Sequence, residues 1–237
     1  MKLNKNTTYL WPFQVLSIIG IIYSVYAFSW QTILLFVIVG HALACIGELV
    51  GLHRYFAHGS FKVNQTWHII LVMISTLALS GPVVAWAGIH RSHHRHSDNE
   101  TDPHSALHKG LLVAFFANWW YYKHTPPELI SDYNNDPWLK FACDYYYGIH
   151  LVYILLLLIV NPYLLFPLYF YPGIIGTILS STINTYLHRG GAARNSTVLA
   201  WIIGGDGHHK FHHTNPGKAI FPYPDIPGIF ITLIRKD

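Results

Sequence analysis

Charge is what this sequence has least of. Asp, Glu, Lys and Arg make up 11% of its 237 residues, against 52% apolar residues and a mean hydropathy of +0.30. A soluble domain carries about 25% charged residues, so this balance points to a chain that meets lipid as well as water. Cysteine is scarce too. Cys45 and Cys143 sit alone in apolar or aromatic stretches, which excludes a disulfide framework and a CxxC zinc site. No internal repeat or low-complexity tract is present, so a solenoid or a disordered array is excluded as well. The net charge of +4 comes from scattered Lys and Arg rather than a basic stripe. That pattern suits an anionic membrane surface or an acidic redox partner, with no nucleic-acid partner expected.

The missing charges are missing in blocks. None occurs between Lys5 and Glu48, nor between Asp144 and Arg189. A spanning helix needs about 20 apolar residues, so each block fits two helices and a turn. The predicted spans are approximately 13–30, 32–52, 149–166 and 168–187, with the first turn at Ser29-Trp30-Gln31. The second turn fits either Asn161-Pro162 or Phe166-Pro167. Trp11, Trp30, Tyr169 and Tyr171 suit interfacial positions. Two hairpins return the chain to one face. That face carries Lys2, Lys5, Arg189, Arg194, Lys210, Arg235 and Lys236, while the far turns carry no Lys or Arg, so it is expected to be cytoplasmic. No cleavable signal peptide is expected, because the first apolar stretch lacks an A-x-A-like site and runs into a second span. A third uncharged stretch, Val63 to His90, is expected to pack beneath a cytoplasmic cap rather than cross, since crossing would separate two histidine motifs. The whole is expected to be one domain over 1–237, an all-α, multi-pass integral membrane protein. Its four transmembrane helices form two hairpins under a cytoplasmic helical cap (53–148 and 188–237) that carries a di-metal site, with both termini cytoplasmic.

Histidine is the opposite of scarce: 17 residues, more than Lys and Arg together. Nine fall in four patches: His53 and His58; His90, His93 and His94; His188, with Asn184 one helical turn before it; and His209, His212 and His213. Residues three and four apart share a helix face, so each HxxHH can aim at a common centre. One metal takes about four to six ligands, so nine imidazoles imply two metals. Imidazole suits iron, zinc, copper and nickel alike, and spacing does not choose among them. His41, His68, His96, His104, His108, His124, His150 and His208 are read as surface or packing residues. Ligating histidines donate their second N–H to a carboxylate or carbonyl, and Glu48, Asp98, Asp102, Asp144 and Asp206 are candidates for that support, with Glu100 read as solvated.

Three boxes and an Asn-x-x-x-His element, written here as HRYFAH (53–58), WAGIHRSHHRHSDNETDPHS (86–105), NTYLH (184–188) and GDGHHKFHHTNPGKA (205–219), resemble those of membrane fatty acid desaturases of the stearoyl-CoA (delta-9) type. The resemblance implies two Fe²⁺ ions held by the nine histidines, with a water held by Asn184 and no catalytic residue beyond the metal ligands. Zinc in a purified sample would stand in for iron. It implies O₂-dependent insertion of a cis double bond into an acyl chain, held rigidly because neighbouring methylenes are chemically alike. A di-iron hydroxylase or alkane-type monooxygenase is the alternative. A metal transporter or sensor would need polar residues along a membrane path, and the first and fourth spans offer little beyond Ser24, Ser180, Ser181 and Asn184. By similarity, Trp86 and Ser180 match positions lining the acyl tunnel, and His41, on one helix face with Cys45 and Leu49, matches its end. Gly88-Ile89 stand where the family often carries Arg-Asp. Of a later Arg-Lys pair only Lys123 remains as a head-group residue, preceded by Tyr122. The acyl carrier is therefore open among CoA, membrane lipid and acyl carrier protein. Electrons are expected from a separate ferredoxin or b-type cytochrome. The expected division gives His53, His58 and His90 to one metal and His188 and His209 to the other, each HH pair splitting between them.

Overall fold

The computed structural model describes residues 10–116 and 125–236, so Lys2, Lys5, Lys123, Tyr122 and His124 lie outside the described residues. Those described are helical, with no strand beyond an isolated bridge between Asn195 and His208.

Helix α1 (Trp11–Ala27) ends where Phe28 and Ser29 go extended, and the Ser29 hydroxyl caps the Thr32 N–H at 3.3 Å. The chain then enters α2 (Trp30–Ala57), whose second half, Cys45–Ala57, is π-helical. Next come α3 (Gln65–Leu77) and α4 (Val83–His96), separated by a tight reversal in which Leu79 and Gly81 take positive φ. The stretch from Val63 to His90 is therefore two helices and not one span. Short helices α5 (Ala106–Lys109) and α6 (Leu111–Phe116) follow, then a 3₁₀ turn (Pro127–Tyr133). Helix α7 (Pro137–Asp144) bends by 78° into α8 (Tyr146–Val160), and α9 (Pro162–Tyr186) returns. Helices α10 (Thr197–Ile202), α11 (His209–Thr214) and α12 (Ile226–Ile234) complete the fold.

Helices α2 and α9 are long and apolar enough to cross a membrane, and the bent α7–α8 pair makes a third if taken as one span. Helix α1, at 17 residues, is apolar but shorter. Burial runs opposite to that of a soluble protein. On α1 the inward residues are Ser17, Gly20 and Ser24, while Ile18, Ile19, Ile22 and Val25 face outward. On α8, Leu151, Val152, Leu155, Leu156 and Ile159 face outward. Apolar surface of this extent, with small and polar residues inside, is how helices pack in lipid. Gly40 shows the close approach. A Cβ there would stand 2.7 Å from that of Tyr171 on α9.

Of the two sites open for the second turn, the structure uses Asn161-Pro162, not Phe166-Pro167, so the last span begins earlier than the expected 168. Asn161 is extended and its side chain caps the Tyr163 N–H at 3.0 Å, whereas Phe166-Pro167 sits inside a π-helical turn of α9 that accommodates the proline. Tyr169 and Tyr171 are buried rather than interfacial. Their hydroxyls find partners on neighbouring helices, His150 at 3.0 Å and Ser24 at 2.9 Å, which a buried phenol requires. Trp11 and Trp30 are exposed.

Candidate metal centre

On an α-helix, residues five apart point about 140° away from each other. The π register of Cys45–Ala57 removes that mismatch for the HxxxxH box. The His58 N–H bonds the His53 carbonyl at 3.2 Å, five residues back, so the two imidazoles share a face. Helix α4 presents His90, His93 and His94, α11 presents His209, His212 and His213, and His188 follows the end of α9.

The nine imidazoles meet in two groups. His53, His58, His90, His94 and His212 form one; His93, His188, His209 and His213 form the other; within each, the candidate ligand atoms lie within 4.8 Å of one another. In the first, Nε2–Nε2 separations are 2.9 Å for His53–His212, His58–His90 and His94–His212, and 3.1 Å for His90–His94. In the second they are 2.8 Å for His188–His209, 3.1 Å for His209–His213 and 3.3 Å for His93–His213. The HH pairs split, one member to each group. Second and third boxes therefore share one centre.

Three carboxylates set the tautomers. Asp206 Oδ1 lies 2.6 Å from His53 Nδ1, Asp102 lies 2.9 Å from His93 Nδ1, and Asp98 lies 3.0 Å from His188 Nδ1. With Nδ1–H donated outward, each Nε2 turns a lone pair inward. Burial, reinforced by neighbouring imidazoles, holds His58, His90, His93, His94, His209 and His212 well below the ordinary imidazole range, and pushes His213 down to about 3. Neutral imidazoles with lone pairs facing each other at such separations repel unless a cation lies between them. Around one ion with nitrogens at about 2.1 Å, adjacent donors stand about 3.0 Å apart in an octahedral set and about 3.4 Å in a tetrahedral one. The observed 2.8–3.3 Å matches those edges, so the donor set fits two metal ions.

The supports are themselves anchored. Arg54 is buried, donates to Asp206 at 2.6 Å and Asp225 at 2.9 Å, and stacks on Phe221. Burial alone would raise Asp206, but Arg54 and His53 hold it below its ordinary value. The His188 hydrogen bond does the same for Asp98. Asp102 accepts backbone N–H groups of Asp98 and His104, each at 2.8 Å. Asp144 instead pairs with Lys140 on the surface, Glu100 is exposed, and the Glu48 carboxyl accepts a hydrogen bond from Ser80. Sequence reasoning missed the role of Arg54 and Asp225. Arg54 directly follows a box histidine, but nothing nearby in the chain shows that its partners lie more than 150 residues away.

Trp86, Ser180 and Asn184 line a small cavity with His53, His90, His209, Glu48, Leu49 and Ile183. Trp86 stacks on His90, with ring centroids 4.9 Å apart. His41 and Cys45 do not line it. They lie deeper in α2, their Nε2 and Sγ 3.5 Å apart. The other described histidines lie outside the two groups; among them His104 is buried with its ring 5.4 Å from His93, and His150 pairs with Tyr169.

The profile of the family described as fatty acid desaturase matches residues 28–227. Among curated proteins, a hex-5-enoyl-[acyl-carrier protein] acetylenase of Moorena producens is 53% identical over 64 residues, 27% of this chain and 20% of that protein. Delta(9)-fatty-acid desaturase fat-5 of Caenorhabditis elegans is 29% identical over 143 residues, 58% of this chain and 42% of that protein. The sn-1 stearoyl-lipid 9-desaturase of Anabaena variabilis is 29% identical over 203 residues, 78% of this chain and 72% of that one. The chain thus spans less than half the length of the first two.

Proposed function

Because the chain belongs to the fatty acid desaturase family, we propose that it is an O₂-dependent fatty acyl desaturase that places a cis double bond, of the delta-9 type, in an acyl chain. The observation that carries this reading is the meeting of nine neutral imidazoles in two groups at metal-edge spacing. His53, His58, His90, His94 and His212 would hold one iron, and His93, His188, His209 and His213 the other, with Asn184 holding a water. When bound, the irons supply the redox chemistry that couples O₂ to C–H cleavage, which zinc cannot. The overall change takes one –CH₂–CH₂– unit, O₂, two electrons and two protons to one –CH=CH– unit and two waters.

The chain's own residues do the positioning. Asp206, Asp102 and Asp98 keep their imidazoles in one tautomer and orientation. Trp86 and Ser180 stand beside the donors at this small cavity and would flank the reacting methylenes, since geometry alone distinguishes one methylene from the next. In the membrane, α1, α2, α8 and α9 form two hairpins. The histidine groups and both termini lie on the cytoplasmic side. Arg189, Arg194, Lys210, Arg235 and Lys236 are exposed on that side and offer a basic face to a separate acidic ferredoxin or b-type cytochrome and to anionic lipid. The acyl group arrives on CoA, a lipid or a carrier protein, and Lys123 is the candidate head-group contact.

Lipid profiling of cells expressing the chain, with double-bond positions mapped, tests this. New monounsaturated acyl chains are expected. An alcohol instead of an alkene would make the enzyme a hydroxylase, and no acyl product beside a host electron donor would overturn the reading.

A further inference from the structure

The π register that brings His53 and His58 together carries a third residue onto the same face. Glu48 lies five positions before His53, as His53 lies five before His58. It sits one π turn deeper in the span than the histidines. The side chain is 1% exposed. One carboxyl oxygen accepts from Ser80, and Oε2, fully buried, has no hydrogen-bond partner. Across the gap stands α9, where Gly176 leaves room. A Cβ at 176 would lie 3.1 Å from both Cγ and Oε1 of Glu48. The carboxyl therefore fills the space between α2 and α9, at the deep end of the cavity that also touches His53, Trp86, Ser180 and Asn184. That cavity has about 20 Å³ of free space, room for roughly one water. His41 and Cys45, deeper on α2, are not reached by it.

Resting on the desaturase reading, we propose that Glu48 is the polar floor of the acyl cavity and restricts the enzyme to chains with a short methyl-side tail beyond the new double bond. The polar end of a substrate stays at the aqueous face, so its methyl end points down α2 towards Glu48. A tail long enough to pass would displace any water from Oε2 and leave a buried carboxyl against methylenes. Stranding a buried polar atom in this way weakens selection of that substrate roughly ten- to a hundredfold. A short tail leaves the Ser80 hydrogen bond and the space beside Oε2 in which a water can satisfy it.

The test feeds decanoic, dodecanoic, palmitic and stearic acids to cells expressing the full chain, wild type, Glu48→Ala or Glu48→Gln, and maps the carbons beyond each double bond. Iron content of the purified proteins is measured in parallel. Wild type and Glu48→Gln should give products whose methyl-side tails are short, at least tenfold over long-tailed ones. Glu48→Ala should raise long-tailed product at least tenfold. A wild-type product dominated by a long tail, or an unchanged profile in iron-loaded Glu48→Ala, overturns the proposal while leaving the desaturase reading intact. Should Glu48→Ala not accumulate, the wild-type profile decides alone. Absence of any alkene from every acid is the separate failure of the desaturase reading and would remove the basis for this inference.

Discussion

The two histidine groups share α4 and α11 but are built differently. The first draws five imidazoles, His53 from the π-helical half of α2 and His58 from the residue that ends it among them, and rests on the buried Asp206–Arg54–Asp225 network. The second draws four, one following α9, and rests on Asp98 and Asp102, which belong to the loop after α4. Asn184 lies one turn before His188 in this second set. The difference teaches where each group gets its rigidity. The first is tied to α2 through a buried charge network, and the second to the loop after α4 through two separate carboxylates, with one donor fewer and a non-histidine neighbour beside it.

Removing a donor from each group tests that contrast most severely. His93→Ala leaves three imidazoles in the second group and His212→Ala leaves four in the first. Both should lower product by about 100-fold or more while the protein stays in the membrane, because a lost ligand exceeds the 10–100-fold cost of a lost support. Metal content separates them. His93→Ala should retain close to one iron per chain, and His212→Ala closer to two. Equal metal loss in the two variants would erase the distinction, and full activity in either would count against the metal assignment.

The supports come next. Asp206→Asn removes a partner from Arg54, whose side chain is almost fully buried, and breaking a buried pair of this kind costs about 3–5 kcal/mol. Asp98→Asn touches only His188 and the loop, so its cost falls on metal affinity, about tenfold, with little change in stability. Thermal unfolding of metal-free protein should therefore distinguish Asp206→Asn from wild type and leave Asp98→Asn near it. Comparable melting of the two variants would show that the network around Arg54 is not what holds the first group.

Much of this arrangement was legible in the sequence, for a physical reason. Spacings of three and four describe a helix face, so His90, His93, His94, His209, His212 and His213 could be grouped from the sequence, whereas the splitting of each HH pair is not dictated by spacing. The charge-free blocks likewise placed α2 and α9 and the Ser29 turn. Legibility ended where local pattern and tertiary context part. His53 and His58 were expected on one metal and meet in one group, but the cause was hidden: HxxxxH has no face on an α-helix, and the π register that makes them neighbours is not announced by the residues. Tyr169 and Tyr171 read as interfacial because the sequence does not show that His150 and Ser24 wait on adjacent helices. Glu48 read as one more acid near a box, since its separation from Ser80 by 32 positions hides their contact.

Acidification is the gentlest probe of the comparison. His213, in the second group, is pushed down only to about 3 from 6.5, while His58 and His94 of the first are held lower still. An unfolded histidine takes a proton near pH 6.5 and the folded one does not until lower pH, so between those values the unfolded state binds more protons. Stability of the metal-free protein therefore rises with pH across that window and declines as pH falls from about 6.5 towards 3. Above 6.5 these groups contribute no further pH dependence. Protons also compete with metal for Nε2, and the less depressed His213 yields first. Stepwise acidification of loaded protein should release the ion of the second group before that of the first. Release in the reverse order would mean that the buried network around Arg54 does not protect the five-donor group as its geometry implies.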